Sequence, residues 1–496
     1  MSTRIRNASF RRKIMSAEDA AGFIKDGMTV AMSGFTPSGY PKAVPVALAR
    51  RIRETGETCR LFIITGASVG EEIDGELGCL GAIARRAPYQ TNDELRRRIN
   101  AGATDFFDPH LGEMDGHVRR GFYGPVDVAV VEAVAVTEEG HVVPSTSVGN
   151  APSALRAARR VIIEVNEAQP ADLEGMHDIF IPGDPPHRQP VLIKDPADRI
   201  GVPYMEVPVD KVAAVVLAHK SDSPRSLAEP DEAAEAISRH LIEFLSHETK
   251  KGRLPSALLP IQSGVGNVAN SILKGFLESS FSGLSFYSEV IQDGAIDLID
   301  AGKFRVASGT ALSLSPERLD RFISEIRKYR KTIILRPQEI SNCAEVIGRI
   351  GVIAINTAVE ADIYGNVNSS HITGFRLMNG IGGSGDFARN AYLSIFSTPS
   401  IKGAGSISPV VPLVSHVDHT EHDVDVLVTD QGLADLRGLG PAQRARTIIE
   451  NCVHTSFRDA INAYWSEAQK SGGHIPVDLA KALSWHVNFL RTKRMT

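Results

Sequence analysis

The chain is poor in cysteine and has no excess of positive charge. Its four cysteines, Cys59, Cys79, Cys343 and Cys452, are scattered through 496 residues with no Cys-x-x-Cys pair. That spacing excludes a zinc ribbon and a disulfide-stapled fold, and it predicts a reducing compartment, the cytoplasm. A net charge of −5 argues against a nucleic-acid partner. No apolar run is long enough to span a bilayer, so no membrane partner is expected. The basic arm of Arg4, Arg6, Arg11, Arg12 and Lys13 lacks an apolar core. It therefore reads as a solvated arm, with a transit peptide as the weaker alternative, rather than a secretory signal.

What is present is ordinary for a globular α/β protein. The sequence is 43% hydrophobic and 23% charged, and long enough for two or three domains. Many of its 43 glycines stand at the ends of apolar runs, as in strand-to-helix turns. Residues 15–27 read as an amphipathic helix and 28–33 as a strand. The loop Gly34-Phe35-Thr36-Pro37-Ser38-Gly39 and a helix over 42–55 follow. Further strands are expected at 60–66, 126–132, 161–165 and 212–217, which predicts a mostly parallel, covered sheet. Residues 166–203 are rich in Pro, Asp and His and read as a lid, arm or binding loop. Residues 218–230 read as a linker.

A second α/β unit is expected from the helix at 231–248. A strand at 257–262, the tight loop Ser263-Gly264-Val265-Gly266-Asn267 and a helix from Val268 repeat the strand, glycine loop, helix plan. Strands at 304–307, 332–335, 352–355 and 424–429 continue the sheet, and the tail from 441 is helical. The expected domains are thus 1–218 and 231–496.

Within this second half one acid stands out. Glu289 interrupts a run of strand formers from 284 to 291, which closes on the turn signal Gln292-Asp293-Gly294. An acid in such a run either faces solvent or has a chemical task. A carboxylate is ionised at pH 7 and needs no base to act as a nucleophile, only an activated acyl group and donors for an oxyanion. Two glycine loops offer such donors. Gly264-Val265-Gly266 lacks the third glycine of the dinucleotide fingerprint and has no P-loop lysine, so it is a tight turn or an anion-facing set of amides. Asn379-Gly380-Ile381-Gly382-Gly383-Ser384-Gly385-Asp386 is dense enough in glycine for a ligand to approach its backbone. It is not a serine-hydrolase elbow, because Asp386 stands where the last glycine should be. The cluster His416, Asp418, His419, Glu421, His422, Asp423 fits no standard ligand spacing, and a solvated loop is expected there rather than a metal site.

Taken together, these stretches resemble the acetyl-CoA hydrolase/transferase family of class I CoA-transferases. Within it the succinyl-CoA:acetate and propionyl-CoA:succinate enzymes are the most similar. The resemblance also runs through Ser33-Gly34-Phe35-Thr36, Thr65-Gly66-Ala67-Ser68, Tyr287 to Gln292, Ile340-Ser341-Asn342, Glu360 to Gly365 and Gln431 to Gly438. It implies two NagB/RpiA/CoA-transferase-like α/β domains with the active site between them. Glu289 then falls on the catalytic glutamate, and Val265 and Gly383 on oxyanion and CoA-contacting amides. Asn342 falls on an active-site amide, and Gly264, Gly266, Asn267, Val268 and Asn379 on the CoA-binding loops. Asp430 stands where relatives often carry Glu. Lys402 sits one position early for a CoA-contacting lysine, and Arg225 is the candidate active-site arginine.

The implied chemistry moves CoA between a short-chain acyl-CoA and a carboxylate, ping-pong, through a thioester on Glu289. The implied partners are acyl-CoA, short-chain carboxylates and a second copy in a homodimer, with no metal. An acyl-CoA hydrolase and a non-catalytic acyl-CoA sensor are the alternatives. The sequence carries no helix-turn-helix, and a sensor would not need Glu289.

Overall fold

The computed structural model describes residues 2–223 and 230–496. Arg225 therefore lies outside the described residues. The chain divides into two compact units. One comprises residues 1–226, 286–296 and 305–350, the other 227–285, 297–304 and 351–496.

The first unit is built on a parallel sheet. Its strands run in the order Asp105–Phe106, Ile83–Ala87, Leu61–Ile64, Thr29–Met32, Val128–Val136, Arg160–Asn166, Val212–Ala218, and Val142–Pro144 is added antiparallel to Val128–Val136. All of Val128–Val136 is buried, which is why it reads as an unbroken apolar run rather than an alternating one. Helix Ala43–Thr55 lays Val44, Leu48 and Ile52 on a core that includes Ile63 and Val130. Each such buried side chain contributes about 1.5–3 kcal/mol. The three amides at the start of this helix, Lys42, Ala43 and Val44, donate to the buried Glu164 carboxylate at 2.5–3.0 Å, an acid where the helix dipole favours one.

The strand order reverses between Thr29–Met32 and Val128–Val136. In sheets of this kind ligands collect beyond the carboxyl ends at that reversal. Here the chain leaves Met32 through Gly34, whose φ of +124° favours glycine. A Cβ there would lie 2.6 Å from Tyr40 Cβ. Lys42 Nζ is buried against Glu132 at 2.5 Å and Asp222 at 2.9 Å. Asp222 also accepts from Gln169 Nε2 at 2.9 Å, so the stretch expected to be a linker begins as a fixed part of this unit.

Residues 166–203 read as a lid, an arm or a binding loop. Rather than a free lid, they are pinned along their length. Asp178 accepts from Gly201 N at 2.7 Å and pairs with the buried Arg336, which also donates to Ser308 Oγ at 2.8 Å. Arg349 holds the carbonyls of Val191 and Ile193 at 2.6 and 3.1 Å, and Arg188 meets Glu339 at 2.7 Å. The segment is a strap fastened to Arg336, Glu339 and Arg349, all distant in sequence.

The second unit carries parallel strands Ile261–Ser263, Ile353–Thr357, Leu393–Ser397 and Val426–Thr429, with Gly432–Asp435 antiparallel at the edge. Helix Glu232–Lys250 starts where Asp231 accepts from Ala234 N at 2.8 Å, as an N-cap should. Helices Pro441–Cys452, Thr455–Lys470 and Ser484–Thr492 bury Ile448, Trp465 and Trp485 in a core with Tyr364 and Phe396. Among the described residues no helix is long and apolar enough to cross a membrane.

Candidate active site

Glu289 is not inside a strand. The apolar run splits into Leu284–Tyr287 and Val290–Gln292, and Ser288 and Glu289 form the bend between them. The expected turn at Gln292-Asp293-Gly294 is instead the start of helix Asp293–Asp300. The bend arises from tertiary contacts. The Glu289 carbonyl accepts from Thr310 N at 2.7 Å and Ala311 N at 3.1 Å, and Ser288 N donates to Ser308 O at 3.0 Å. Gly309 lets the chains approach, since a Cβ there would lie 2.9 Å from the Glu289 carbonyl oxygen.

The Glu289 side chain is half-buried, so the acid avoids both the cost of full burial and the dilution of its charge by free solvent. One carboxylate oxygen accepts from Asn342 Nδ2 at 2.8 Å. Asn342 is itself 1% exposed, and its Oδ1 accepts from Ser341 Oγ at 3.0 Å, which fixes the amide with its NH2 toward Glu289. Tyr287 OH donates to Ile340 O at 2.6 Å and so ties the strand that leads into the Glu289 bend to the turn that carries Asn342. Val290 and Ala311 pack on Phe35, Ala67 and Leu111, and Phe35 and Ala67 stand in the loops at the carboxyl ends of Thr29–Met32 and Leu61–Ile64. The carboxylate is thus set beside the strand ends of the first unit's sheet.

In the second unit the predicted residues also gather at strand ends. Ser263-Gly264-Val265-Gly266 leaves Ile261–Ser263 and enters helix Asn267–Glu278, whose next residue is Val268. Gly264 N is used, donating to Ile355 O at 3.0 Å. Gly266 has φ +126°, which a side chain would resist, and Val265 between them is 41% exposed. The second glycine loop turns through Gly380 and Gly382, at φ +147° and +58°. Gly383 then leads into helix Ser384–Asn390. Asn379 Oδ1 accepts from Gly380 N at 2.8 Å.

A cavity of about 370 Å³ in this unit is lined by Asn379, Lys402, Thr357, Val359, Glu360 and His486, among others. Lys402 Nζ donates to Val359 O at 3.3 Å. Burial pushes this amine down to about 8, with the Glu360 carboxylate opposing the shift. Asp430 does not reach this cavity wall. It accepts from Ser400 N at 2.5 Å, Ser400 Oγ at 2.8 Å and Gln431 Nε2 at 2.9 Å. Burial raises its pKa, but these donors outweigh it and hold the carboxyl below its usual range.

Sequence reasoning missed Glu360 and His486 as lining residues. They form a buried pair at 2.8 Å. His486 lies on the C-terminal helix, too far along the chain for spacing to link them. The cluster after His416 is also less solvated than expected. His419 is buried and the Asp418 side chain is 7% exposed, whereas His422 is 82% exposed at its side chain.

Models of the acetyl-CoA hydrolase/transferase N-terminal and C-terminal domains match residues 1–217 and 318–465. The chain is 52% identical over 493 residues to a succinyl-CoA:acetate CoA-transferase of Clostridium kluyveri, covering 99% of this chain and 92% of that protein. It is 45% identical over 485 residues to a propanoyl-CoA:succinate CoA transferase of Escherichia coli, covering 97% and 98%. It is 42% identical over 513 residues to an acetyl-CoA hydrolase of Schizosaccharomyces pombe, covering 100% and 98%. The crystal structure of RipA from Yersinia pestis shares the fold, with a TM-score of 0.72 at 21% identity over 94% of this chain and 98% of that one. From its amino terminus to the helical tail, the chain belongs to the acetyl-CoA hydrolase/transferase family.

Proposed function

We propose that the protein is a class I CoA-transferase, moving CoA from a short-chain acyl-CoA to a carboxylate, with Glu289 as the covalent residue. The observation that carries this reading is the state of Glu289: a half-buried carboxylate on a clamped bend, oriented at 2.8 Å by the buried amide of Asn342. The names of the Clostridium kluyveri and Escherichia coli relatives support succinyl-CoA with acetate, or propionyl-CoA with succinate, as the substrate pair.

In this mechanism Glu289 attacks the thioester carbonyl, and the backbone amides of Val265 and Gly383 receive the oxyanion. Removing one such donor typically costs about 3 kcal/mol of barrier. The C–S bond breaks and CoA leaves as thiolate, giving an acyl-glutamyl anhydride. The thiolate then attacks the glutamyl carbonyl, releasing the first carboxylate and leaving glutamyl-CoA. A second carboxylate reverses both steps and departs as acyl-CoA. Asn342 orients Glu289, and Asp430 holds Ser400 beside the strand ends. The CoA moiety is bound by Gly264, Gly266, Asn267, Val268, Asn379 and Lys402. No metal takes part in these steps. The proposal also carries a cytoplasmic homodimer, on the family resemblance and the scattered cysteines.

The acetyl-CoA hydrolase relative keeps hydrolysis as the second reading, since water could consume the same intermediates. Acceptor dependence separates the two. Release of free CoA from succinyl-CoA in the absence of carboxylate is expected to be at least about 100-fold slower than transfer to acetate, and initial rates should give the parallel double-reciprocal lines of ping-pong kinetics. Equal turnover with and without acceptor would establish the hydrolase instead.

Lys402 supplies a pH test. With its amine pushed down to about 8, it is charged below that pH and progressively neutral above it. A charge-assisted bond to a CoA phosphate is worth roughly 1.5–3 kcal/mol. Acetyl-CoA affinity of the Glu289→Ala protein, measured calorimetrically, is therefore expected to fall about tenfold or more from pH 7 to 9.5, and Lys402→Met should flatten the profile. A flat profile with Lys402 intact would remove the lysine from the CoA site.

A further inference from the structure

We propose that His371, His416 and Asp418 form a binding site for one borderline divalent metal ion such as Zn²⁺ or Co²⁺, which fastens a hairpin to the loop behind it. One donor atom from each residue lies within 4.8 Å of the other two. Tetrahedral zinc with bonds of about 2.0–2.2 Å needs its donors roughly 3.4 Å apart. His416 Nε2 and Asp418 Oδ1 already stand at 3.3 Å. The His371 donor lies within 4.8 Å of both and has to close by on the order of 1 Å, while the His371 and His416 rings, 4.0 Å apart between centroids, turn edge-on to the ion. Two imidazoles and one carboxylate suit zinc, cobalt or nickel rather than magnesium or calcium, and leave one position for water.

The surrounding hydrogen bonds prepare this set. Asp418 is gripped by Ser369 N at 2.6 Å and Ser370 N at 2.9 Å. Ser370 Oγ lies 2.7 Å from Asp418 and 2.7 Å from His371 Nδ1. A carboxylate only accepts, so the single hydroxyl proton goes to Asp418 and the hydroxyl oxygen accepts from His371 Nδ1–H. That tautomer leaves His371 Nε2 with its lone pair. A neighbouring group that fixes the ring in this way is what ligating histidines use.

The site has a structural consequence. His371 begins strand His371–Ile372, which pairs antiparallel with Arg376–Leu377. At the turn between them Gly374 sits so close to the next loop that a Cβ would lie 2.5 Å from Ser415 O. A metal bridging His371 to His416 and Asp418 would lock that contact. Ile372 and Thr373 line the same cavity as Asn379 and Lys402, so the ion would stiffen one cavity wall. The sequence concealed this set because His371 lies outside the cluster that begins at His416.

This inference stands without the transferase reading. Its test uses the full chain stripped with chelator and titrated with Co²⁺, following visible absorption, with Zn²⁺ as competitor. Saturation at one Co²⁺ per chain, a tetrahedral-type band and displacement by Zn²⁺ are expected. His371→Ala and His416→Ala should each weaken binding about 10–100-fold, and His422→Ala should leave it unchanged. Melting curves of the variants show that each is folded, and His371→Asn serves if an alanine variant is not. Absence of stoichiometric binding, or binding that survives both histidine substitutions in folded protein, would overturn the site.

Discussion

Replacing Glu289 by alanine is expected to lower CoA transfer by roughly 10⁴-fold or more, the scale on which removal of a covalent nucleophile acts. Glu289→Asp retains the carboxylate but withdraws it by one methylene. A displacement of about 1 Å at a reacting atom costs on the order of 10²-fold, so aspartate should keep about one per cent. The two variants separate chemistry from folding because Glu289 is half-buried and its backbone carbonyl holds the bend through Thr310 N and Ala311 N. Alanine leaves the Asn342 amide without its carboxylate, a loss of about 1–3 kcal/mol at most, so the melting curve should move little while the rate collapses. Binding of acetyl-CoA should persist in both. Loss of binding and activity together, with an altered melting curve, would mean that Glu289 is structural.

The second large effect is on stability. Arg336 is fully buried, pairs with the buried Asp178 and donates to Ser308 Oγ at 2.8 Å and Pro196 O at 3.2 Å. Arg336→Met leaves Asp178 as a buried charge deprived of its counter-ion, which typically costs about 3–5 kcal/mol. The double variant Arg336→Met with Asp178→Leu removes both charges and is expected to be more stable than the single variant, because much of the single loss is the stranded carboxylate. Thermal unfolding of the two variants and the parent checks the order. Limited proteolysis should find new cuts within residues 166–203 in the single variant. If the single variant melts like the parent, the strap is held by its other arginines alone.

That strap shows where sequence reading stops. The core strands were legible because burial writes itself as apolar runs, most clearly in Val128–Val136. The helix after Gly34 and the helix after Gly266 were legible because glycines with positive φ mark strand-to-helix turns. Order in residues 166–203 was not, because it comes from Arg336, Glu339 and Arg349, more than a hundred residues further along the chain, and not from local periodicity. Glu289 was legible as an anomaly in an apolar run. Its place on a bend was not, since the bend depends on Thr310, Ala311 and Gly309 reaching the Glu289 carbonyl. The partner amide Asn342 came from family resemblance alone. Glu360 and His486 escaped because the pair forms only when the C-terminal helix packs.

The most direct test of the account is to trap the covalent intermediate. Incubating the protein with succinyl-CoA and no acceptor, reducing with borohydride and mapping peptides by mass spectrometry should convert the Glu289 side chain to its alcohol, a loss of about 14 Da at that residue. Acetate added before the borohydride should abolish the mark. A thioester trapped on another residue, or unmodified Glu289 in protein that is turning over, would contradict the assignment of Glu289 as the residue that carries CoA between carboxylates.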